Sequence, residues 1–293
     1  MTGKEFAALL TLAALWGASF LFIRVASPEL GPFLTVELRV ALAAAALLIY
    51  AVFIKYTFSF RAHWKKYIMV GLLNAAVPFA FITGAELHLT ASMASIINAT
   101  TPMFTAAAAW VWFKTRLSMQ KFIGMLIGIA GVVILVGWST GKTDGAFMLS
   151  ALYSLLAALF YGIAGNYIAK NFKEVKPMDL AIGQQIGASI VMLPFTLFTL
   201  PRSLPSVPAL LSVLVLAVLC TSLAYLLYFY LMGKSGALKT ASVTFLVPIF
   251  GVGWGALFLK ETIRANTIFG MLVIFAGILL VTGILGRRKM AAG

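Results

Sequence analysis

Residues Ala94–Leu135 read ASIINATTPMFTAAAAWVWFKTRLSMQKFIGMLIGIAGVVIL, and their pattern returns at Thr240–Val281 as TASVTFLVPIFGVGWGALFLKETIRANTIFGMLVIFAGILLV. A shift of 146 residues lays Pro102 on Pro248, Phe104 on Phe250 and Lys114 on Lys260. It also lays Gly124-Met125-Leu126 on Gly270-Met271-Leu272 and Ala130-Gly131 on Ala276-Gly277. Each copy is an apolar run with a proline in its middle, a short polar break, and a second apolar run carrying glycines. A shift of 145 adds Trp16-Gly17 on Tyr161-Gly162 and Pro32 on Pro177. A period of half the chain is too long for a solenoid. The expected organisation is two repeats, 1–145 and 146–293. Two homologous membrane halves are a hallmark of transporters.

Composition decides the class. Hydrophobic residues make up 62% of the chain and charged residues 10%, with a mean hydropathy of +1.03. No single soluble core could hold that apolar fraction. A helix crossing a bilayer takes about 20 mostly apolar residues. Ten segments qualify: 6–26, 33–54, 66–86, 91–113, 120–138, 147–169, 178–200, 209–232, 238–259 and 266–286. The expected fold class is an all-α polytopic membrane protein with ten transmembrane helices, five in each repeat. The first span is longer than a signal-peptide core and belongs to the repeat, so it reads as retained.

The net charge of +14 would suggest nucleic acid in a soluble protein. Its distribution assigns it to topology instead, and no nucleic-acid partner is expected. The N-terminus, the loops after even-numbered spans and the C-terminal tail carry Lys4, Lys55, Arg61, Lys65, Lys66, Lys114, Arg116, Lys121, Lys170, Lys173, Lys176, Lys234, Lys239, Arg287, Arg288 and Lys289. The opposite side carries only Arg24, Lys142, Arg202, Lys260 and Arg264. The positive-inside rule then puts both termini in the cytoplasm. Five spans per repeat is an odd number, so the second repeat enters the membrane from the opposite side. The expected repeats are inverted, a design that produces alternating access by exchanging the conformations of the two halves.

Within the spans, a few residues stand out chemically. Trp16 and Tyr161 are equivalent aromatics away from the interfacial belt, either packing helices or flanking a central cavity, with Ser19 and Asn166 close behind them. Span two holds Glu37 and Arg39, and charges inside a membrane mark functional sites by default. Residues two apart do not face each other on a helix, so these two are not expected to pair. Glu37 is the best-placed coupling carboxylate, and Arg39 suits a structural, substrate-contacting or gating role. Span three carries Asn74, Pro78, Phe79 and Thr83 and ends at Glu86 and His88, expected near the outer interface. Glu86 is a further coupling or gating candidate.

Ser95, Asn98, Thr101 and Thr105 recur at helical spacing and share one face of span four, beside Pro102. Interhelical hydrogen bonding could explain them, but a continuous polar stripe beside a proline favours cavity lining. Span nine repeats the theme with Ser242, Thr244 and Pro248. Pro78, Pro102 and Pro248 form the expected hinge set, because each frees a backbone carbonyl. Gln184-Gln185 in span seven and Ser222, Tyr225 and Tyr228 in span eight complete the mid-membrane polar groups, and Gln184 falls on Arg39 at the 145 shift. Gly124, Gly128, Gly131, Gly270 and Gly277 give spans five and ten small-residue faces. Those faces either join the two halves or make a homodimer. Gly251, Gly253 and Gly255 read as packing, and Trp110, Trp112 and Trp138 as interface anchors.

Catalytic and cofactor motifs are missing. Gly137–Thr143 resembles a phosphate loop but is one residue short of the pattern. His63 and His88 fall on opposite sides, so no metal site is expected, and no cofactor is implied. Cys220 is the lone cysteine and can form no intramolecular disulfide. The chain does not read as an enzyme.

Taken together, the ten spans, the duplicated five-helix units, Trp16-Gly17, Arg39 and the Pro102 and Pro248 helices carry a resemblance. So do the polar turns Leu117-Ser118-x-Gln120 before Gly124 and Lys260-Glu261 before Gly270. The chain resembles the EamA-type branch of the drug/metabolite transporter superfamily, along its whole length. One departure is Lys114-Thr115, where that family often has a glycine-glutamate pair; Lys260-Glu261 keeps only the glutamate, read as a cap of its turn. The resemblance implies an exporter of small metabolites in a bacterial inner membrane, with a central cavity walled by helices 1, 3, 4, 6, 8 and 9.

The functional expectation is an alternating-access exporter of amino acids, aromatic ones included, or of similar amphipathic metabolites. Trp16, Tyr161 and Tyr225 would meet the apolar part of the substrate, with Phe79, Ser19 and Asn74 beside them. Ser95, Asn98, Thr101, Asn166 and Ser242 would meet its polar groups. The scarcity of buried carboxylates favours facilitated export. The rival readings are an exporter of quaternary cations, drugs or polyamines, whose site should offer carboxylates, and a flippase for lipid-linked sugars.

Overall fold

The computed structural model describes residues 1–115, 117–137, 144–201 and 203–283. Arg116, Trp138, Lys142, Arg202, Arg287, Arg288 and Lys289, together with residues 138–143 of the phosphate-loop lookalike, lie outside them.

Every element among the described residues is helical. Helix α1, Gly3–Phe53, opens on a capping box in which Thr2 and Glu5 satisfy each other's backbone N–H. Its apparent length of 51 residues hides a break at Gly31 (φ 71°, ψ 165°) between Pro28 and Pro32. A positive φ there suits only glycine. Next come α2, Trp64–Gly71, a π-helical turn over Leu72–Ala76, and α3, Val77–Ala85. Helix α4, Ala91–Asn98, stops at a turn through Ala99 and Thr100, and α5, Thr101–Phe113, restarts with Pro102 in its first turn. Proline is tolerated there because the first-turn N–H has no partner within the helix.

The remaining helices follow the same logic. They are α6 (Met119–Gly137), α7 (Gly145–Asn171), α8 (Pro177–Leu197), α9 (Val207–Ala217), a second π-helical turn over Val218–Leu223, α10 (Ala224–Ser235), α11 (Ala237–Ala241), α12 (Val243–Leu259) and α13 (Ala265–Thr282). Asp144 and Ser206 cap α7 and α9 by accepting from the N–H of Phe147 and Ala209. The two π turns coincide under the 146-residue shift. So do the ends of α5 and α12, each closing on a left-handed lysine, Lys114 (φ 51°) and Lys260 (φ 53°).

Eight helical stretches are long and apolar enough to cross a membrane, α1 counted once and the split pair α4–α5 not at all. Large apolar side chains such as Phe53, Val111, Leu257 and Phe258 stand on the outside. Helices that are apolar all round are those of a membrane protein.

Contacts between the halves recur with the halves exchanged. A Cβ on Gly17 of α1 would lie 2.7 Å from the Phe250 Cβ and 2.9 Å from the Gly251 nitrogen of α12. Its equivalent Gly162 of α7 meets Phe104 and Thr105 of α5 at 2.7 and 2.6 Å. Helices α6 and α13 run antiparallel, Gly124 against Gly277 and Gly131 against Gly270. A Cβ on Gly124 would lie 2.8 Å from the Gly277 carbonyl oxygen, and one on Gly277 would lie 2.6 Å from that of Gly124. The glycine faces of spans five and ten are therefore turned on each other within one chain. A homodimer through the same glycines would have to displace this contact.

Replacing Gly124 by leucine should force α6 off α13 and lower the detergent-solubilised protein's stability by roughly 1–3 kcal/mol. Gly233→Ala, where nothing lies within 4 Å of the new Cβ, is the control. Thermal unfolding followed by tryptophan fluorescence should separate the two, and equal midpoints would contradict the tight glycine seam.

Candidate functional site

Regular helix gives way near the middle of the molecule, and polar side chains collect there. In a π turn the backbone hydrogen bond spans five residues, which shifts the facing of the side chains that follow, and such turns frequent functional sites. The first turn presents Asn74 and leads into Pro78 and Phe79; the second presents Thr221 and leads into Tyr225. Thr221 and Ser222 donate back to Leu216 and Ala217, five residues earlier, at 2.8 and 3.0 Å. Ser222 also donates to the Ala43 carbonyl of α1 at 3.1 Å, joining the second turn to the first half.

Arg39 lies at the centre. It is 5% exposed, its Nε donates to Thr221 Oγ1 at 3.0 Å, and its guanidinium carbon sits 3.6 Å over the Phe79 ring. Stacking on an aromatic face holds a weakly hydrated planar cation away from water. Phe79 in turn meets Tyr161 edge-on at 6.4 Å. Beside this group, Asn74 Nδ2 donates to Gln184 Oε1 at 2.9 Å and to the Tyr225 hydroxyl at 3.5 Å. Trp16 stands against Tyr225 at 6.4 Å and Tyr228 at 5.6 Å. Residues from α1, α3, α7, α8 and α10 thus form one aromatic and amide-lined region around a buried cation.

Gln184 Nε2 in this group has no hydrogen-bond partner among the described residues, nor, elsewhere in α8 and α4, does either amide atom of Gln185 or Asn98 Oδ1. A buried polar atom left unpaired is costly. A ligand or water reaching them would satisfy them.

Other expected site residues divide by what they touch. The hydroxyls of Ser95, Thr101, Thr105 and Ser242 donate to carbonyls three or four residues back along the chain. Ser19 does the same to Leu15 at 3.4 Å. Asn166 spends its amide on Thr105 and Gly162, both at 2.9 Å, and so ties α7 to α5. Pro102 is half-buried in the first turn of α5, and Pro248 is buried inside α12.

Both acidic candidates are buried, and Glu86 lies deeper than its sequence position implies. Glu37 is buried, and Ser189 donates to its Oε1 at 2.6 Å; as expected, it does not pair with Arg39. Glu86, expected at the outer interface, is fully buried at the C-terminal end of α3, and its carboxylate oxygens have no hydrogen-bond partner among the described residues. The Arg24 guanidinium donates to the backbone carbonyl of Glu86. Thr221 and Ser189 escaped the sequence reading, since a single hydroxyl in an apolar helix carries no periodic signal.

Known proteins place the chain. A model of the EamA-like transporter family matches residues 4–137 and again 148–283. An uncharacterized transporter of Bacillus subtilis, YoaV, is 23% identical over 290 residues, covering 98% of this chain and 99% of its own. A probable amino-acid metabolite efflux pump of Salmonella typhimurium is 27% identical over 290 residues, covering 95% and 94%. One of the same description from Escherichia coli is 24% identical over the whole of both chains. A solved crystal structure superposes with a TM-score of 0.68 across 99% of each chain at 16% identity, which establishes a shared fold.

Asn166→Ala should cost roughly 1 kcal/mol for each bond lost and lower the unfolding midpoint. Because its amide faces carbonyls, substrate KM should stay near wild type. A raised KM with an unchanged midpoint would move Asn166 into the substrate site.

Proposed function

Because the chain belongs to the EamA-like transporter family, within the drug/metabolite transporter superfamily, we propose that it exports amino acids, aromatic ones included, or similar amphipathic metabolites bearing a carboxylate. The observation that carries this reading is the buried Arg39 guanidinium stacked on Phe79 within an aromatic and amide-lined region. Charge inside a membrane is expensive and is kept where it acts. A guanidinium fork matches a carboxylate in geometry and charge, while Trp16, Tyr161 and Tyr225 offer flat apolar faces. The same cation repels quaternary ammonium groups and polyamines, which weighs against the drug-exporter reading. The names of the two efflux pumps agree with this choice of cargo.

The topology belongs to the proposal. Counting α1 as two spans broken at Gly31, and α4–α5 as one span broken at Ala99 and Thr100, makes ten. They divide into five-helix repeats over 1–145 and 146–293. The antiparallel meeting of Gly124 and Gly131 with Gly277 and Gly270 suits a two-fold axis in the membrane plane, as inverted repeats require. Both termini then face the cytoplasm of a bacterial cell, and the substrate crosses as the halves exchange shapes. Few carboxylates are available for coupling, which favours facilitated export, with Glu37 the residue that would carry a proton if one moves.

Uptake into proteoliposomes of labelled tryptophan, phenylalanine, threonine, methionine, lysine and glutamate, with a quaternary ammonium dye alongside, tests the cargo. Saturable flux of the aromatic amino acids is expected without an imposed proton gradient, and Glu37→Gln should retain it. Arg39→Gln should raise KM for them at least about tenfold, in line with the loss of a buried charge-assisted contact. Movement of the dye alone would hand the assignment to the cation exporter.

A further inference from the structure

Carboxylates bridge the two halves at several points, Glu29 to Ser206 and Glu5 to Ser235 among them, and one of them, Glu261, sits in the seam between α4 and α12. Glu261 follows the left-handed Lys260 that ends α12. Its Oε1 accepts from the Ala91 N–H at 2.8 Å, and its Oε2 accepts from the Ser92 N–H at 3.0 Å and the Ser92 hydroxyl at 2.5 Å. It therefore caps a helix of the other half, α4, rather than its own turn. Gly255 makes the room: a Cβ there would lie 2.5 Å from Glu261 Oε2 and 2.7 Å from Ser92 Oγ. Below Glu261, Ser95 fills the seam between α4 and α12, 2.5 Å from where a Cβ on Gly251 would stand. Ser92, Ser95, Gly251 and Gly255 are all buried.

Nothing equivalent stands at the positions related by the 146-residue shift. Glu261, Ser92 and Gly255 are replaced there by Thr115, Leu238 and Ala109. The carboxylate, the hydroxyl donor and the empty space are lost together. Burial follows suit. Ser95 is 1% exposed, whereas its counterpart Ala241 is exposed; Gly251 and Gly255 are buried, whereas Thr105 and Ala109 are only half-buried. Helix α4 packs on α12, while α11 packs on α10 and α12, and α5 on α7.

We propose that Glu261 is a positioning residue for the transport cycle, a one-sided latch that makes the form closed across the α4–α12 seam the resting state. In an inverted-repeat transporter the two end states are the same structure with the halves exchanged, so identical halves would give them equal energy. Here opening the α4–α12 seam strips three donors from a carboxylate, whereas the equivalent position of the mirror seam, Thr115, has no carboxylate to strip. Charge-assisted hydrogen bonds are roughly twice as strong as neutral ones. The resting protein keeps the Glu261 side shut and offers its cavity on the other. By the positive-inside distribution that other side is the cytoplasm, where an exporter loads.

Alkylation of purified protein tests this, because neither cargo nor membrane sidedness enters the measurement. A failed transport panel would leave it intact. In a Cys220→Ala background, single cysteines are placed at the equivalent positions, Ser95→Cys and Ala241→Cys, and their rates with N-ethylmaleimide are measured in detergent. The Ser95 reporter should react slowly and the Ala241 reporter quickly. Glu261→Gln should raise the first rate about tenfold, on the scale of a lost hydrogen bond to a charged group, and lower the second. Ser92→Ala, which keeps both backbone donors, should fall between and stands in should Glu261→Gln not purify folded. Unchanged rates, or both rates rising together, would overturn the latch.

Discussion

Close backbone contact between the two halves is the constraint on which the rest of the molecule depends. Lipid tails are as apolar as leucine, so helices in a bilayer gain little by hiding apolar side chains from one another. What they gain is dispersion, and that requires near approach. Gly17 and Gly162 admit the opposite half's helix to within a side chain's width, and Gly124 and Gly131 admit Gly277 and Gly270. Neither half buries its own glycine faces alone. Each needs the other, and the space between them is where a cavity can form.

That arrangement decides which polar groups are free to act. Most hydroxyls of the span-four stripe are absorbed by carbonyls of their own helix, as a low-dielectric surrounding demands. Side chains that bond to other side chains rather than to their own helix, Arg39 to Thr221 and Asn74 to Gln184, gather where the helical ladder is irregular. Irregular backbone is tolerated at membrane depth only against protein or a cavity. The first irregular turn and the unpartnered amide nitrogen of Gln184 meet through Asn74.

The departure from symmetry is as informative as the symmetry. The halves share the Pro102 and Pro248 pair, their left-handed lysines and their π turns, yet only one carries a carboxylate just after that lysine, reaching the other half. A duplicated transporter needs its halves alike enough to exchange shapes and unlike enough to prefer one of them. In the proposed latch, the differences at Thr115, Leu238 and Ala109 supply that preference.

Much of this was legible in the residue order. Duplication and membrane class follow from periodicity and hydropathy, and the family from a resemblance carried by whole motifs; Arg39 stands out through the cost of charge in lipid, a property of a single segment. Thr221 beneath Arg39, Ser189 beside Glu37, the burial of Glu86 and the reach of Glu261 to α4 were not legible. Each joins residues at least about 60 positions apart in the chain, and sequence spacing says nothing about which face of a helix meets which neighbour. The sequence by itself determined that this is a duplicated helical membrane transporter. Only the tertiary structure decided which polar side chains are spent on backbone and which remain for a substrate, because a hydrogen bond is a matter of distance and direction, and those exist only once the helices are packed.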